Sequence, residues 1–378
     1  MMNTLCRLLD KGVTQFHVVK ECEDILKAHD YRTLDMGEVW DLTAGSRYYV
    51  KPYPSMIVAF EVGDVPEYSR MNIGLAHTDF PMLKIKTKPD MNRSGYLTLN
   101  VEPYGGLLKE TWFDRPLGIA GKVMTQTTDP FRPEMYLYDS KNAMCIIPSL
   151  APHLKKEMSG EKMNVQKELI PVYSLNGNNL KNGDILKYVA DDLGLLVDDI
   201  LDYDLYLYNM DNMEVVGVDK DMIASPRLDN VTSVAALVDT MCRPECGNCI
   251  NVISLFDNEE IGSRSKQGAD SVLLADIVGR ILKGLDMSEN DQMRILRDAF
   301  MLSLDVAHAT HPNYTEKSDP TNEIIMGKGV VLKSSASQRY VSDSAAAAVI
   351  MALARKYDIK VQRQVNRSGT VSYTHLTL

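Results

Sequence analysis

Four short runs of this chain carry side chains able to hold cations and move protons. The first is Ala76-His77-Thr78-Asp79, at the end of an expected strand. Side chains alternate faces along a strand, so His77 and Asp79 are expected to point the same way. An imidazole that ligates a metal commonly hands its other N–H to a carboxylate, which fixes the tautomer, and Asp79 is spaced for that duty. The same pair also fits a merely polar strand end. The second run, Ser225-Pro226-Arg227-Leu228-Asp229-Asn230, precedes the largely apolar stretch 231–238. Asp229 is either an ordinary helix N-cap or a carboxylate held at the mouth of a buried helix, free to bridge two cations.

The third run, Asp257-Asn258-Glu259-Glu260-Ile261-Gly262-Ser263, follows the apolar stretch 251–256 directly. Open α/β sheets place their sites at the C-terminal ends of strands. Two adjacent glutamates there can divide labour, one coordinating a metal and the other taking a proton from a water that the metal activates. A solvated acidic turn would have the same composition. The fourth run extends from Ser303 to Tyr314 and places Asp305 among apolar residues. A buried carboxylate is costly without a cation or a donor. His308 and His311 read as ligands, substrate contacts or polar packing, with the last two favoured. Singly these signals are weak; jointly, one His and several Asp and Glu at strand ends form an N/O donor set suited to Zn, Mn or Co.

The elements that must position these residues follow from hydrophobic periodicity. Residues 14–28 carry Phe16, Val19, Cys22, Ile25 and Leu26 at helical spacing. Strands are expected over Arg47–Val50, Met56–Val62 and Met71–His77. From about Lys88 to Ala224 short β-like runs alternate with turn residues, and only 184–199 reads as helical. From Ser225 onward the pattern is α/β: a helix over Asn230–Met241, a strand over Ile250–Phe256, a helix over Ala269–Leu285, a strand over Phe300–Val306 and a helix over Asp343–Lys356. Buried strands alternating with helices predict a mixed, mostly parallel sheet with helices on both faces. The expected domains are a discontinuous α/β domain over 1–88 and 225–368 and a β-rich insert over 89–224. A chain of 378 residues exceeds the size at which one hydrophobic core stops growing, in keeping with two domains.

Composition narrows the function classes. The 51 acidic against 41 basic side chains leave a formal charge of −10, which disfavours nucleic acid and anionic membrane as partners. No apolar run has the length of a bilayer span, and residues 1–11 lack the basic-then-apolar order of a secretory signal, so the cytoplasm is the expected compartment. Six cysteines in a chain of this length do not make a disulfide scaffold.

The segments AHTDFPMLKIK, VEPYGG, TWFDRPLGIAGKV, IPSLAPHL, SPRLDN, DNEEIGSRSKQGA, AHATHPNY and QRYVSD, in this order, resemble the aspartyl aminopeptidase family of zinc metallopeptidases. That resemblance implies an α/β catalytic domain with a β-rich insert and two divalent metal ions, Zn in the first place with Co or Mn as alternatives. Carried over by motif, His77, Asp229 and Asp305 would hold one ion, and Asp229 would bridge to a second that Glu260 also binds. Glu259 would be the general base and Asp79 would orient His77. His153 would reach a substrate pocket across a subunit contact, within a tetrahedral homo-dodecamer that acts on peptides. The implied reaction removes the N-terminal residue from a peptide through a metal-activated water.

Two departures qualify the resemblance. After Asn366-Arg367-Ser368 the family pattern runs on to a final histidine ligand, whereas residues 369–378 read as an artefactual tail. On that reading the second metal is one ligand short, and a weakened or inactive scaffold is the alternative function. Ser318 follows Lys317 where the family often has histidine, so Arg227, Lys317 and Arg339 stand either as partners for an acidic substrate side chain or as structural cations. A competing reading comes from Cys242, Cys246 and Cys249, whose C-x3-C-x2-C spacing suits an iron–sulfur cluster or an incomplete zinc knuckle, or else a connecting loop with incidental thiols.

Overall fold

The computed structural model describes residues 1–64, 68, 70–155, 163–175, 184–243, 247–337 and 340–365. Arg339, Cys246 and the run 366–378, with the expected tail, lie outside them.

Helices α1 (Met2–Lys11) and α2 (Gln15–Lys27) open the chain, followed by strands β1 (Arg32–Leu34), β2 (Arg47–Tyr53), β3 (Met56–Val62) and β4 (Arg70–His77). The middle of the chain holds β5 (Met82–Arg93), β6 (Tyr96–Tyr104), β7 (Leu117–Thr125), β8 (Glu134–Asp139), α3 (Pro152–Lys155), α4 (Val165–Glu168), β9 (Val172–Ser174), α5 (Asp184–Leu193), β10 (Ile200–Asn209), β11 (Glu214–Val216) and β12 (Met222–Ala224). The last part comprises α6 (Leu228–Met241), β13 (Cys249–Phe256), α7 (Leu273–Gly284), α8 (Glu289–Arg297), β14 (Phe300–Ser303), β15 (Val330–Ser334), α9 (Ser344–Lys356) and β16 (Val361–Val365).

One six-stranded sheet has the order β1-β2-β3-β13-β4-β14. The β1–β2, β13–β4 and β4–β14 pairs are parallel, and β3 runs antiparallel to both its neighbours, so the sheet is mixed. Strand alternation sorts its side chains into two cores. Val58, Phe60, Ile73, Leu75 and Val252 pack with Ile277, Ile281 and Leu282 of α7 and Ile295 of α8 on one face. Ile57, Ala59, Ile253 and Leu255 pack with α1, α2 and α6 on the other. Gly74 lies in β4 where a Cβ would stand 2.6 Å from Leu237 Cδ2, so the absent side chain lets α6 close onto the strand that ends in His77.

The second sheet, β8-β7-β10-β5-β6-β9, is antiparallel throughout. It begins at Met82, ahead of the textural change at Lys88, because β5 is continuous across that point. Helix α2 links the layers: Phe16 meets Tyr206 of β10 at 6.5 Å between ring centroids, while Val18, Val19 and Leu26 enter the core shared with α6. Other boundaries also differ from the sequence pattern: the helix expected over 184–199 ends at Leu193, and β2 runs on past Val50 to Tyr53. Strand β14 stops at Ser303, which leaves Asp305 on the following loop; α7 starts at Leu273; and Asp343 caps α9 by accepting from the Ala346 amide at 2.8 Å.

Within α2, Glu23 is buried and accepts from Tyr49 Oη at 3.0 Å, with Lys51 Nζ at 2.5 Å and Lys27 Nζ at 2.9 Å. Burial alone would raise its pKa, but these cations and the phenol hold it at about 2 against an ordinary 4.5. A depressed carboxylate contributes stability that is complete above its unfolded pKa and lost as pH falls through its folded value. Glu23→Gln is therefore expected to cost about 2 kcal/mol at pH 7. The difference from the parent should shrink between pH 4.5 and 2, as measured by denaturant unfolding across that range.

Candidate metal centre

Strands β13, β4 and β14 are parallel neighbours, so their C-terminal ends lie side by side. His77 ends β4, the 257–263 run follows β13, and Asp305 lies two residues after β14. The start of α6 adds Asp229, at a break where the backbone of Asp229 and Asn230 is non-helical, and its carboxylate faces His77. Asn230 donates from Nδ2 to the Leu304 carbonyl at 2.9 Å and so ties this end of α6 to the loop that bears Asp305.

The buried His77 Nε2 stands 3.5 Å from Asp229 Oδ1, 3.7 Å from Asp305 Oδ1 and 3.9 Å from Glu259 Oε2. One ligand atom each from His77, Asp229 and Asp305 lies within 4.8 Å of the others. On its far side, His77 Nδ1 is 3.0 Å from the backbone oxygen of Asp79 and 3.3 Å from Asp79 Oδ1. The alternation argument does not produce this contact, because β4 ends at His77 and Asp79 belongs to the turn beyond. The fully buried Asp79 carboxylate also accepts from Tyr104 Oη at 2.7 Å and from the backbone amides of Glu259 and Glu260, each at 3.1 Å. It thereby fixes the short 3-10 turn on which both glutamates sit. Tyr104 in turn accepts from Asn258 Nδ2 at 2.8 Å. Gly105, at φ +73°, brings β6 against the same turn, where a Cβ would be 2.9 Å from that of Glu260.

Charge in the site is strongly unbalanced. Burial, reinforced by Asp79, Asp229 and Glu259 and opposed by His77, raises Glu260 to about 8. Glu259 is also raised, first by burial and then by Asp305, Asp79 and Asp229 acting against His77. Burial would lower His77, but Asp229, Asp305 and Asp79 override it and lift the imidazole well above 6.5. Asp305 goes the other way, to about 2: burial disfavours its anion, while His77 and Lys333 favour it. Lys333 Nζ on β15 lies 2.7 Å from Asp305 Oδ2 and donates to the Val306 carbonyl at 3.1 Å. A cluster of carboxylates around one imidazole, crowded enough to keep a glutamate protonated near neutrality, is the donor set a divalent cation would discharge. These residues fit the metal.

Asp229 and Glu260 also line a cavity of about 1010 Å³, together with Phe80, Leu107, Trp112 and Met210. The other nominated residues lie elsewhere. His153 is exposed on α3, and Lys317 is exposed on the turn 315–317. His311 accepts from the Asn313 amide at 3.1 Å and packs 5.0 Å from the Tyr314 ring, and His308 Nε2 is 3.5 Å from Gln364 Nε2. Cys242 and Cys249 bound the connection from α6 to β13. Lys333 and Tyr104 were not singled out from sequence. Lys333 lies 28 positions from its partner in a run with no acidic neighbour, whereas VEPYGG offered a polar aromatic at a strand end as a signal for Tyr104.

Comparison with known proteins places this geometry in a family. The model of the aminopeptidase I zinc metalloprotease family, M18, matches residues 8–374. The "Probable M18 family aminopeptidase 2" of Clostridium novyi is 38% identical over 389 residues, covering 100% of this chain and 90% of the relative. Among solved structures, the cryo-EM structure of the Ape4 and Nbr1 complex superimposes with a TM-score of 0.91 at 29% identity, over 99% of this chain and 76% of that one. The S. cerevisiae mApe1 dodecamer gives 0.79 at 25% identity, over 96% and 84% of the two chains. A parallel trio of strands delivering a histidine and carboxylates to one point, on a fold and sequence shared with these proteins, makes the chain a metal-dependent aminopeptidase of the M18 zinc metalloprotease family.

Proposed function

We propose that His77, Asp229 and Asp305 hold one divalent cation, that Asp229 and Glu260 contribute to a second, and that Glu259 is the general base for removing the N-terminal residue of a peptide. The meeting of His77, Asp229 and Asp305 within 4.8 Å carries this reading. When bound, the ions supply Lewis acidity, polarising the scissile carbonyl and lowering the pKa of the attacking water. Glu259 stands beside the imidazole with its carboxylate made more basic by burial, which suits it to accept that water's proton and return it to the leaving amine. Asp79 holds the turn beneath both glutamates and faces the far nitrogen of His77, so it acts on orientation rather than on the substrate. Asp229 and Glu260 are the carboxylates within reach of a positively charged substrate terminus in the adjoining cavity.

Zinc is the proposed ion, with cobalt and manganese as substitutes, because an N/O donor set of this kind accepts all three. Incubation with a chelator is expected to abolish hydrolysis of aminoacyl chromogenic substrates, and added Zn, Co or Mn should restore it. Undiminished turnover in protein shown by elemental analysis to be metal-free would overturn the reading. The proposed partners are peptides, not nucleic acid or membrane. The compartment is the cytoplasm, in keeping with the acidic composition and with no described helix long and apolar enough to cross a bilayer. Likeness to a dodecameric relative supports a homo-dodecamer, in which the exposed His153 would be free to enter a neighbouring subunit's cavity.

A further inference from the structure

Arg227 stands two residues ahead of Asp229, at the N-cap of α6, with its own backbone in the left-handed region at φ 67°. It lines the same cavity as Asp229 and Glu260, and its side chain reaches the junction of three other segments. Nη2 donates to the carbonyl of Leu9 at 2.7 Å, and Nη1 donates to the carbonyl of Asn209 at 3.1 Å. Leu9 lies in the last turn of α1, where carbonyls lack helical partners and carry the negative end of the helix dipole. Asn209 is the last residue of β10 in the second sheet. The guanidinium carbon also sits 6.0 Å from the centroid of the Phe80 ring, in the turn that carries Asp79. Nε has no hydrogen-bond partner among the described residues, so the contacts that locate the group are the two carbonyls and the ring. Although Arg227 lines that cavity, a substrate carboxylate would have to compete with both carbonyls for its terminal nitrogens.

We propose that Arg227 is the positioning residue for Asp229. Its planar fork clamps the end of α1 and the end of β10 against the 225–229 run. That clamp sets where the Asp229 carboxylate stands relative to His77 and Asp305. The inference rests on the ligand role assigned to Asp229 above. Lysine cannot replace the clamp, because a single ammonium on a flexible stem does not reproduce two divergent donors in one plane.

The test compares zinc affinity, by competition with a chromogenic chelator, for the full-length parent, Arg227→Met, Arg227→Lys and Asp229→Asn. Far-UV circular dichroism and thermal melts are recorded alongside. Arg227→Met is expected to fold and to bind zinc about 10–100-fold more weakly, with Arg227→Lys closer to Met than to the parent. Turnover should recover toward the parental value at saturating zinc. A purely structural arginine would shift the melt and leave the affinity unchanged, and that result overturns the inference. If Asp229→Asn binds zinc like the parent, the ligand assignment itself fails. If Asp229→Asn is impaired and Arg227→Met is not, only the clamp fails. Should Arg227→Met not fold, Arg227→Gln retains one donor arm and is expected to show an intermediate loss; parental affinity in that variant also overturns the proposal.

Discussion

Glu259→Gln is expected to keep its metal content and lose about 10²–10⁴ in turnover, the usual range for removing a positioned general base. Glutamine preserves the side-chain shape and the backbone amide that donates to Asp79, so the turn should remain in place. It lacks the anion. In the parent that anion is 10% exposed, and burial with three neighbouring carboxylates makes it a stronger base than a surface glutamate. The check pairs kcat on an aminoacyl chromogenic substrate with elemental analysis of the same sample. Parental turnover would remove Glu259 from the mechanism. Loss of metal together with activity would instead make it a ligand.

Asp79→Ala acts on the same turn from below and is expected to weaken zinc binding about 10–100-fold, as for other groups that orient ligands through hydrogen bonds. The carboxylate accepts from two backbone amides and one tyrosine hydroxyl, all in a buried setting. Removing it strands those donors, at roughly 1–3 kcal/mol for each one left unsatisfied. A lowered melting temperature should therefore accompany the lost affinity. Asp79→Asn, which keeps one acceptor oxygen, should fall between alanine and the parent. Equal zinc affinity in parent and alanine variant, measured by chelator competition, would show that the turn holds itself without Asp79.

The contrast between these two residues shows what the sequence can carry. Strand and helix positions were legible because burial has a period: β3 coincides with the expected Met56–Val62, and the alanine-rich helix begins one residue after its capping Asp343. The clustering of acids after apolar runs was equally visible, since it is a local property of strand ends. Grouping His77 with Asp229 and Asp305 came from the ordered family motifs, because no periodicity relates residues so far apart in the chain. Turns resisted both routes. Asp79 meets His77 beyond the end of the strand, through a change of direction that strand alternation does not encode. Lys333 reaches Asp305 only because β15 folds back beside the loop after β14, and Arg227 resolves into a clamp only once α1 and β10 are seen to converge on it.

The chain passes from one sheet to the other within Thr78–Pro81, immediately after the histidine at the end of β4 and immediately before β5 begins. The Asp79 turn that faces the imidazole is thus also a covalent link between the two sheets, so a substitution there bears on both at once.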